Sequence, residues 1–271
     1  FSIALSLQIR KKINVLLAIC TSCTLFFVPY FFKKDVLKSL DVSVRLIQPN
    51  AVQEKKWSEE FAPIFFEQMI KMTAQEQKPD IVIWPETSLH LPYNSASEEL
   101  DKMRKAAEES ILVFGALRFD QANFLKNSLI IENKNQEPVF YDKAKLVPFG
   151  EYLPFINLKS YFKILERSNL FGWGFKRGKG SELLSLPNGL NFVPLICYEA
   201  IFSNFLKPSV KNADFILQIT NDAWFGKSIG PQQHLAQLRI RAIEYGLPVI
   251  RVANTGISAI IDANGKVIKN L

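Results

Sequence analysis

The sequence predicts an α/β layered domain, and three observations carry that expectation. Short, almost purely apolar runs recur along the chain, among them Ile81-Val-Ile-Trp84 and Phe192-Val-Pro-Leu-Ile196, and runs of that length bounded by turn residues read as buried strands. Segments with helical apolar spacing stand between them, so strand and helix alternate. With 271 residues, 48% of them hydrophobic, the chain is long enough to bury a large core.

Taken in order, residues 41–47 alternate polar and apolar side chains and predict a strand, which Gln48-Pro-Asn50 turns. Ser58 is placed to cap a helix carrying Phe61, Ile64, Phe65, Met69 and Met72. The strand of residues 81–84 stops at Pro85-Glu86-Thr87, and residues 97–109 hold strong helix formers with charges at i, i+4 spacing. Residues 111–116, 127–131 and 139–141 predict three more strands. A long aperiodic section, 146–188, is rich in Pro, Gly and aromatics. The alternation resumes with a strand over 192–196 that ends abruptly in Cys197-Tyr-Glu199, followed by a short helix over 200–206 stopped near Pro208. Further strands are expected at 215–220, 249–253 and 258–262, a helix at 232–245 closed by Gly246, and a hairpin turn at Asn264-Gly265. No internal repeat and no low-complexity linker interrupts residues 41–271, which are read as one catalytic domain.

A net charge of +7 with no Lys/Arg cluster among aromatics argues against nucleic acid and suits an anionic lipid surface. Three cysteines give no disulfide framework. Two of them, Cys20 and Cys23, fall inside residues 13–32, a run without a charged residue, bracketed by Arg10-Lys-Lys12 and Lys33-Lys-Asp35. About twenty apolar residues span roughly 30 Å, the thickness of a bilayer's hydrocarbon core, so a transmembrane helix is expected within a membrane segment over residues 1–36. The opening at Phe1 in a second apolar stretch gives the chain the look of a piece of a longer membrane protein.

The candidate chemistry sits at strand ends. A strand, a sharp turn and a helix start at Cys197 would place a thiol where the positive end of the helix favours thiolate. Taken alone, Cys197 reads equally as a small hydrophobe finishing a core strand. Only His90 and His234 are available as imidazole bases, and neither is expected at a strand-end turn; two histidines also make a metal site improbable. Glu86 ends a buried strand between apolar neighbours that would desolvate it, which suits a general base. Lys143 follows another strand, where an ammonium can hold charge developing on a carbonyl oxygen. Singly, each also reads as an ordinary surface charge.

Together, Glu86, Lys143 and Cys197 resemble the Glu-Lys-Cys triad of the nitrilase (carbon–nitrogen hydrolase) superfamily. The wording is similar to one branch, the apolipoprotein N-acyltransferases, in Trp84-Pro-Glu-Thr87, Lys143-Ala-Lys-Leu-Val-Pro-Phe-Gly-Glu-Tyr-Leu-Pro154, Ile196-Cys-Tyr-Glu199, Asn221-Asp-Ala-Trp-Phe-Gly226 and Arg251-Val-Ala-Asn-Thr-Gly256. The resemblance implies a nitrilase-like α-β-β-α sandwich after the transmembrane helix, C-terminally incomplete relative to the family. It implies Glu86 as base, Lys143 as oxyanion stabiliser, Cys197 as acylated nucleophile and Glu151 as an additional carboxylate. Tyr198 and Glu199 match residues needed beside the nucleophile, with the Tyr198 N–H a second oxyanion donor. Trp57 matches a tryptophan near the acyl-chain entrance, or else packs as a staple at a helix entry; Asn221, Asp222 and Trp224 shape the pocket wall rather than react. The implied reaction moves an acyl chain from a phospholipid, through a Cys197 thioester, to the α-amino group of a lipoprotein's S-diacylglyceryl-cysteine, with no cofactor and no metal. The implied setting is the bacterial inner membrane, with a monomeric catalytic domain on its outer, periplasmic face. A membrane-anchored amidase or nitrilase-type hydrolase, and a non-catalytic binding domain, are the alternatives. The aromatic-rich section, with Phe155, Phe162, Phe171 and Trp173, is expected to dip into the bilayer with Lys176, Arg177 and Lys179 at lipid phosphates, or to pack as a lid on its own domain.

Overall fold

The computed structural model describes residues 2–31, 40–134, 136–152 and 174–271. The chain divides into two units, Phe1–Leu37 and Lys38–Leu271. The first holds helix α1 (Ser2–Phe31), in which Thr21 and Thr24 turn their hydroxyls back onto the carbonyls of Leu17 and Cys20, each at 2.8 Å. Among the described residues no helix is long and apolar enough to cross a membrane, so the expected transmembrane span is not supported. Arg10, Lys11 and Lys12 lie within the same helix and shorten its uncharged part, and Phe32, the end of the expected span, lies outside the described residues.

The second unit is built on two sheets. The first has β1 (Val44–Leu46), β2 (Ile81–Ile83), β3 (Ile111–Phe119), β4 (Leu125–Glu132) and β5 (Val139–Asp142) side by side in chain order. β1, β2 and β3 run parallel, and β3, β4 and β5 form an antiparallel meander. The second comprises β6 (Leu184–Ser185), β7 (Asn191–Ile196), β8 (Phe215–Thr220), β9 (Val249–Ala253), β10 (Ala259–Ile261) and β11 (Val267–Asn270), again ordered as in the chain. Its central strands β7, β8 and β9 are parallel. A strand's side chains alternate between faces, and both faces of these strands are covered, which is why their sequences are apolar throughout. Ile81, Ile83, Val113 and Leu129 meet Phe192, Ile196, Leu217 and Val252 between the sheets. Val82, Trp84 and Phe114 face outward onto Phe66 and Met69 of α2 (Ala62–Thr73) and Leu100 and Met103 of α3 (Ser97–Ala107). Val193, Leu195 and Ile216 face Leu238 and Ala242 of α4 (Gly230–Tyr245). The result is the α-β-β-α sandwich.

Local details depart from the sequence expectation. Ser58 accepts the Phe61 N–H at 3.1 Å and closes a turn ahead of α2, which starts at Ala62 with Pro63 in its first turn. The buried face is carried by Phe66 and Met69, and Ile64 points to solvent. Instead of a helix over 200–206, two 3₁₀ turns follow β7, Cys197–Ile201 and Ser203–Phe205. At the other end the hairpin is as expected: Gly265 has φ +75°, and Asp262 accepts the N–H groups of Asn264 and Lys266 at 2.9 and 2.8 Å.

Candidate active site

The chain leaves β2, β5, β7, β8 and β9 at a common rim, and the polar residues gather there. Glu86 and Lys143 come from the first sheet, and Cys197 and Asn221 from the second, so the site straddles the seam between the layers. Gly115 on β3 makes the Glu86 turn possible: a Cβ there would lie 2.6 Å from the Thr87 N, 2.7 Å from the Glu86 Cα and 2.8 Å from the Pro85 O. Lys143, 1% exposed, places its Nζ 3.1 Å from Glu86 Oε1 and 2.8 Å from Glu151 Oε1. Asn127 on β4 binds the same two oxygens through its Nδ2, at 2.9 and 3.1 Å. Each carboxylate is also held by backbone: Asn221 N–H donates to Glu86 Oε2 at 3.0 Å, and Val147 N–H to Glu151 Oε2 at 2.8 Å. Burial works against the Lys143 charge, but Glu86, the Cys197 sulfur and Glu151 hold its pKa above the ordinary lysine value. It is an ammonium between two carboxylates.

Cys197 sits on a sharp kink with φ +50°, a left-handed conformation that costs a non-glycine residue about 1–2 kcal/mol. Its thiol is pushed up to about 12, by burial first and then by the Glu86 charge, against the pull of Lys143 and a hydrogen bond with Thr220. The expected thiolate-favouring helix end is thus overturned. The turn after Cys197 has five residues and supplies little dipole, and the low-dielectric seam dominates.

Glu199, fully buried, ties the two halves together. Its Oε1 accepts the N–H groups of Ala144 (2.7 Å) and Lys145 (3.1 Å), just beyond Lys143. Its Oε2 accepts the N–H of Ile196 (2.8 Å), just before Cys197, and the Tyr141 hydroxyl (2.8 Å). Burial pushes this carboxyl up to about 7 against those four donors. Tyr198 is half-buried, its ring edge-on to Phe202 at 5.1 Å. Trp57 is 46% exposed and lines a small cavity with Ala62, Phe65 and Met69 at the start of α2, while Trp224 and Phe149 stand further out in solvent.

Sequence reasoning missed several members. Lys56 is buried, with its Nζ 3.0 Å from the Glu86 carbonyl and 2.9 Å from Thr87 Oγ1. Burial pulls its pKa down to about 8 against the charges of Glu86 and Cys197. Gln218, His234, Asp222 and Arg251 form a buried network beneath Cys197. The signal for Gln218, Arg251 and Asn127 was present: each is a polar side chain inside an apolar strand, and such a group must find a partner. The aromatic-rich residues of 153–173 lie outside the described residues. Of the basic residues that follow, Lys176 stacks over Phe124 at 4.9 Å and Arg177 over Tyr152 at 4.8 Å.

Residues 43–271 match the sequence model of one family, Carbon-nitrogen hydrolase. This chain belongs to the carbon–nitrogen hydrolase family. Among curated members it is 38% identical over 241 residues to the apolipoprotein N-acyltransferase of Rhizobium rhizogenes, covering 84% of this chain and 45% of that protein. It is 35% identical over 242 residues to that of Brucella melitensis, covering 85% of this chain and 45% of that one. The chain therefore spans about half the length of the curated relatives it matches. Among solved structures, XC1258 from Xanthomonas campestris, a CN-hydrolase superfamily protein, superposes with a TM-score of 0.59 at 17% identity over 86% of both chains. An amidase from Nesterenkonia sp. gives 0.55 at 16% identity over 84% of both. At such identities these two bear on the fold of the carbon–nitrogen hydrolases alone.

Proposed function

We propose that this chain is the catalytic part of an N-acyltransferase that loads an acyl chain from a phospholipid onto Cys197 and passes it to the α-amino group of a lipoprotein's N-terminal S-diacylglyceryl-cysteine. The observation that carries the reading is Lys143, buried between Glu86 and Glu151 at 3.1 and 2.8 Å, at the same rim as the half-buried strand-end thiol of Cys197. The name shared by the relatives at 38% and 35% identity supports the choice of reaction.

Because the resting thiol is neutral, its proton leaves as the sulfur attacks, and Glu86 receives it. The S–C bond forms as the ester carbonyl becomes an oxyanion, stabilised by Lys143 and the Tyr198 N–H. The ester C–O bond then breaks, Glu86 returns the proton to the leaving oxygen, and a lysophospholipid departs. In the second half the amine attacks the thioester, the N–C bond forms, the C–S bond breaks, and the amine's proton restores the thiol through Glu86. Glu151 holds the Lys143 ammonium in place and faces the incoming amine. Splitting one transfer into two attacks on an activated carbonyl is the logic of covalent catalysis.

Residues 1–36 are the membrane segment in this reading and 41–271 the catalytic domain, placed at the outer face of a bacterial inner membrane. That placement rests on the uncharged run of residues 13–32 and on the exposed Trp57, Phe149 and Trp224 near the site, which suit a lipid substrate. The test is N-acylation of a diacylated lipopeptide with phosphatidylethanolamine as donor, comparing the full protein with Cys197→Ala. The parent is expected to give amide product and an acyl adduct on Cys197 by mass spectrometry, and the variant neither. Equal product from both, or turnover of small amides with no lipopeptide product, overturns the proposal.

A further inference from the structure

The carbonyl oxygen of Cys197 is turned away from the reacting side of the seam. Gln218 Nε2 donates to it at 2.9 Å, and His234 Nε2 lies 3.1 Å from it. The thiol of the same residue feels the charges of Glu86 and Lys143 and a hydrogen bond with Thr220. Behind the carbonyl, every polar partner is itself bound. Gln218 and Arg251 are cross-strand neighbours on β8 and β9, and Arg251 Nη1 donates to Gln218 Oε1. Arg251 Nη2 meets Asp222 Oδ2 at 2.5 Å, and Asp222 Oδ1 meets His234 Nδ1 at 2.8 Å. The Gln218 Nε2 lies 3.1 Å from His234 Nε2, which closes the ring of contacts.

Donor and acceptor roles in this ring fix the Gln218 amide. Arginine only donates, so Gln218 must present its oxygen to Arg251 and its NH₂ to Cys197 and His234. A carboxylate only accepts, so His234 Nδ1 carries a proton toward Asp222, and Nε2 lies 3.1 Å from both the Gln218 amide and the Cys197 carbonyl oxygen, where it receives the first or, when protonated, donates to the second. The orientation of the Gln218 amide is therefore fixed from three residues away. All four side chains are buried, on the α4 side of the second sheet.

Peptide bonds in the described chain are trans, so the N–H of Tyr198 points opposite to the Cys197 carbonyl. We propose that the Arg251–Asp222–His234–Gln218 network is an orienting clamp: by gripping the carbonyl of the kinked Cys197 from below, it aims the Tyr198 N–H at the acyl oxygen. These four are positioning residues: Gln218 and His234 meet the Cys197 carbonyl, Arg251 fixes the Gln218 amide, and Asp222 holds His234, Arg251 and the Thr220 hydroxyl. The inference rests on the proposed acyl transfer at Cys197 and adds what fixes its oxyanion site. A kink at φ +50° has no glycine to make it comfortable, so the plane needs such a grip to hold its direction.

The clamp separates two reactions of the same sulfur. Alkylation by iodoacetamide needs the sulfur but no oxyanion site, whereas acylation by p-nitrophenyl butyrate needs both. Both rates are to be measured on the full chain at Cys197, by peptide mass spectrometry, in parent, Gln218→Met and His234→Gln. The expectation is unchanged alkylation with acylation slowed by about a hundredfold in Gln218→Met and by less in His234→Gln. Equal acylation in parent and variants overturns the clamp and leaves the acyl-transfer reading standing. Parallel loss of both reactions also overturns it, because the network would then serve the sulfur itself. A parent whose Cys197 alkylates but takes no acyl group from this ester or from phospholipid overturns the acyl-transfer reading and the clamp with it. Should Gln218→Met melt below the assay temperature, His234→Gln carries the same comparison, because it leaves the Gln218–Arg251 contact in place.

Discussion

A sulfur nucleophile must be stable at rest and anionic at the moment of attack, and the groups around Cys197 meet those demands separately. Burial and the Glu86 charge keep the thiol protonated, while Lys143 and Thr220 favour the anion. Removing the charge in Glu86→Gln is therefore expected to speed iodoacetamide alkylation of Cys197 at fixed pH while abolishing acyl transfer; slower alkylation would contradict the assignment of that repulsion. Glu199 gives a prediction with a pH sign. Folding raises this carboxyl from 4.5 to about 7, so the folded protein keeps a proton that the unfolded chain gives up between those values. Its stabilising share is whole below pH 4.5 and is lost as pH rises through 7, a difference of roughly 3 kcal/mol. Denaturant unfolding from pH 4.5 to 8 should show that decline in the parent and lack it in Glu199→Gln. The same variant sets an NH₂ group against two of the four donors and should be about 1–3 kcal/mol less stable at the low end. Identical slopes in the two proteins would remove Glu199 as their source.

At the scale of elements, the close approach of β3 to the Glu86 turn is the most sensitive joint. A Cβ at Gly115 would fall within 2.8 Å of three backbone atoms, none of which can rotate aside. Gly115→Ala should lower stability by about 1–3 kcal/mol through overpacking and cut acyl transfer further by displacing Glu86, read by melting and by turnover on the folded variant. Full activity in a folded Gly115→Ala protein would show that the turn tolerates the shift. The strands of both sheets were legible because burial on two faces writes an apolar run, as in Ile81-Val-Ile and Phe215-Ile-Leu. Glu86 and Cys197 close apolar strands at their carboxyl ends, but singly each of the three, Lys143 included, has an ordinary reading, and only their resemblance as a set to the Glu-Lys-Cys triad picked them out. The 3₁₀ turn after Cys197 was not legible: Ala200, Phe202 and Leu206 have helical spacing, and only the tertiary grip of Gln218 and Glu199 imposes the kink. The network beneath it was hidden for a related reason, because pairing Gln218 with Arg251 needs the β8–β9 register, which one strand alone does not encode. The start of α2 slipped by a turn because Ser58 caps locally wherever a free N–H is near.

At the scale of the whole molecule, a net charge of +7 and apolar side chains near the site mouth suit an anionic lipid surface. The full chain is expected to cosediment with phosphatidylglycerol vesicles and to release as salt shortens the Debye length from about 10 Å at 0.1 M to about 3 Å at 1 M. Binding indifferent to salt would assign the contact to apolar insertion alone, and no binding at low salt would remove the surface from the account. The seam between the sheets has a consequence for biogenesis. Carboxylates and lysine hang from one layer and the sulfur from the other, so before the layers mate Cys197 lacks the burial and the Glu86 charge that raise its pKa in the folded protein. The nascent chain is then at its most vulnerable, open to oxidants and to stray bonding with Cys20 or Cys23. In the proposed reaction, closure of the sandwich is a safety catch: it disarms the sulfur toward bystanders in the same motion that arms it toward an ester.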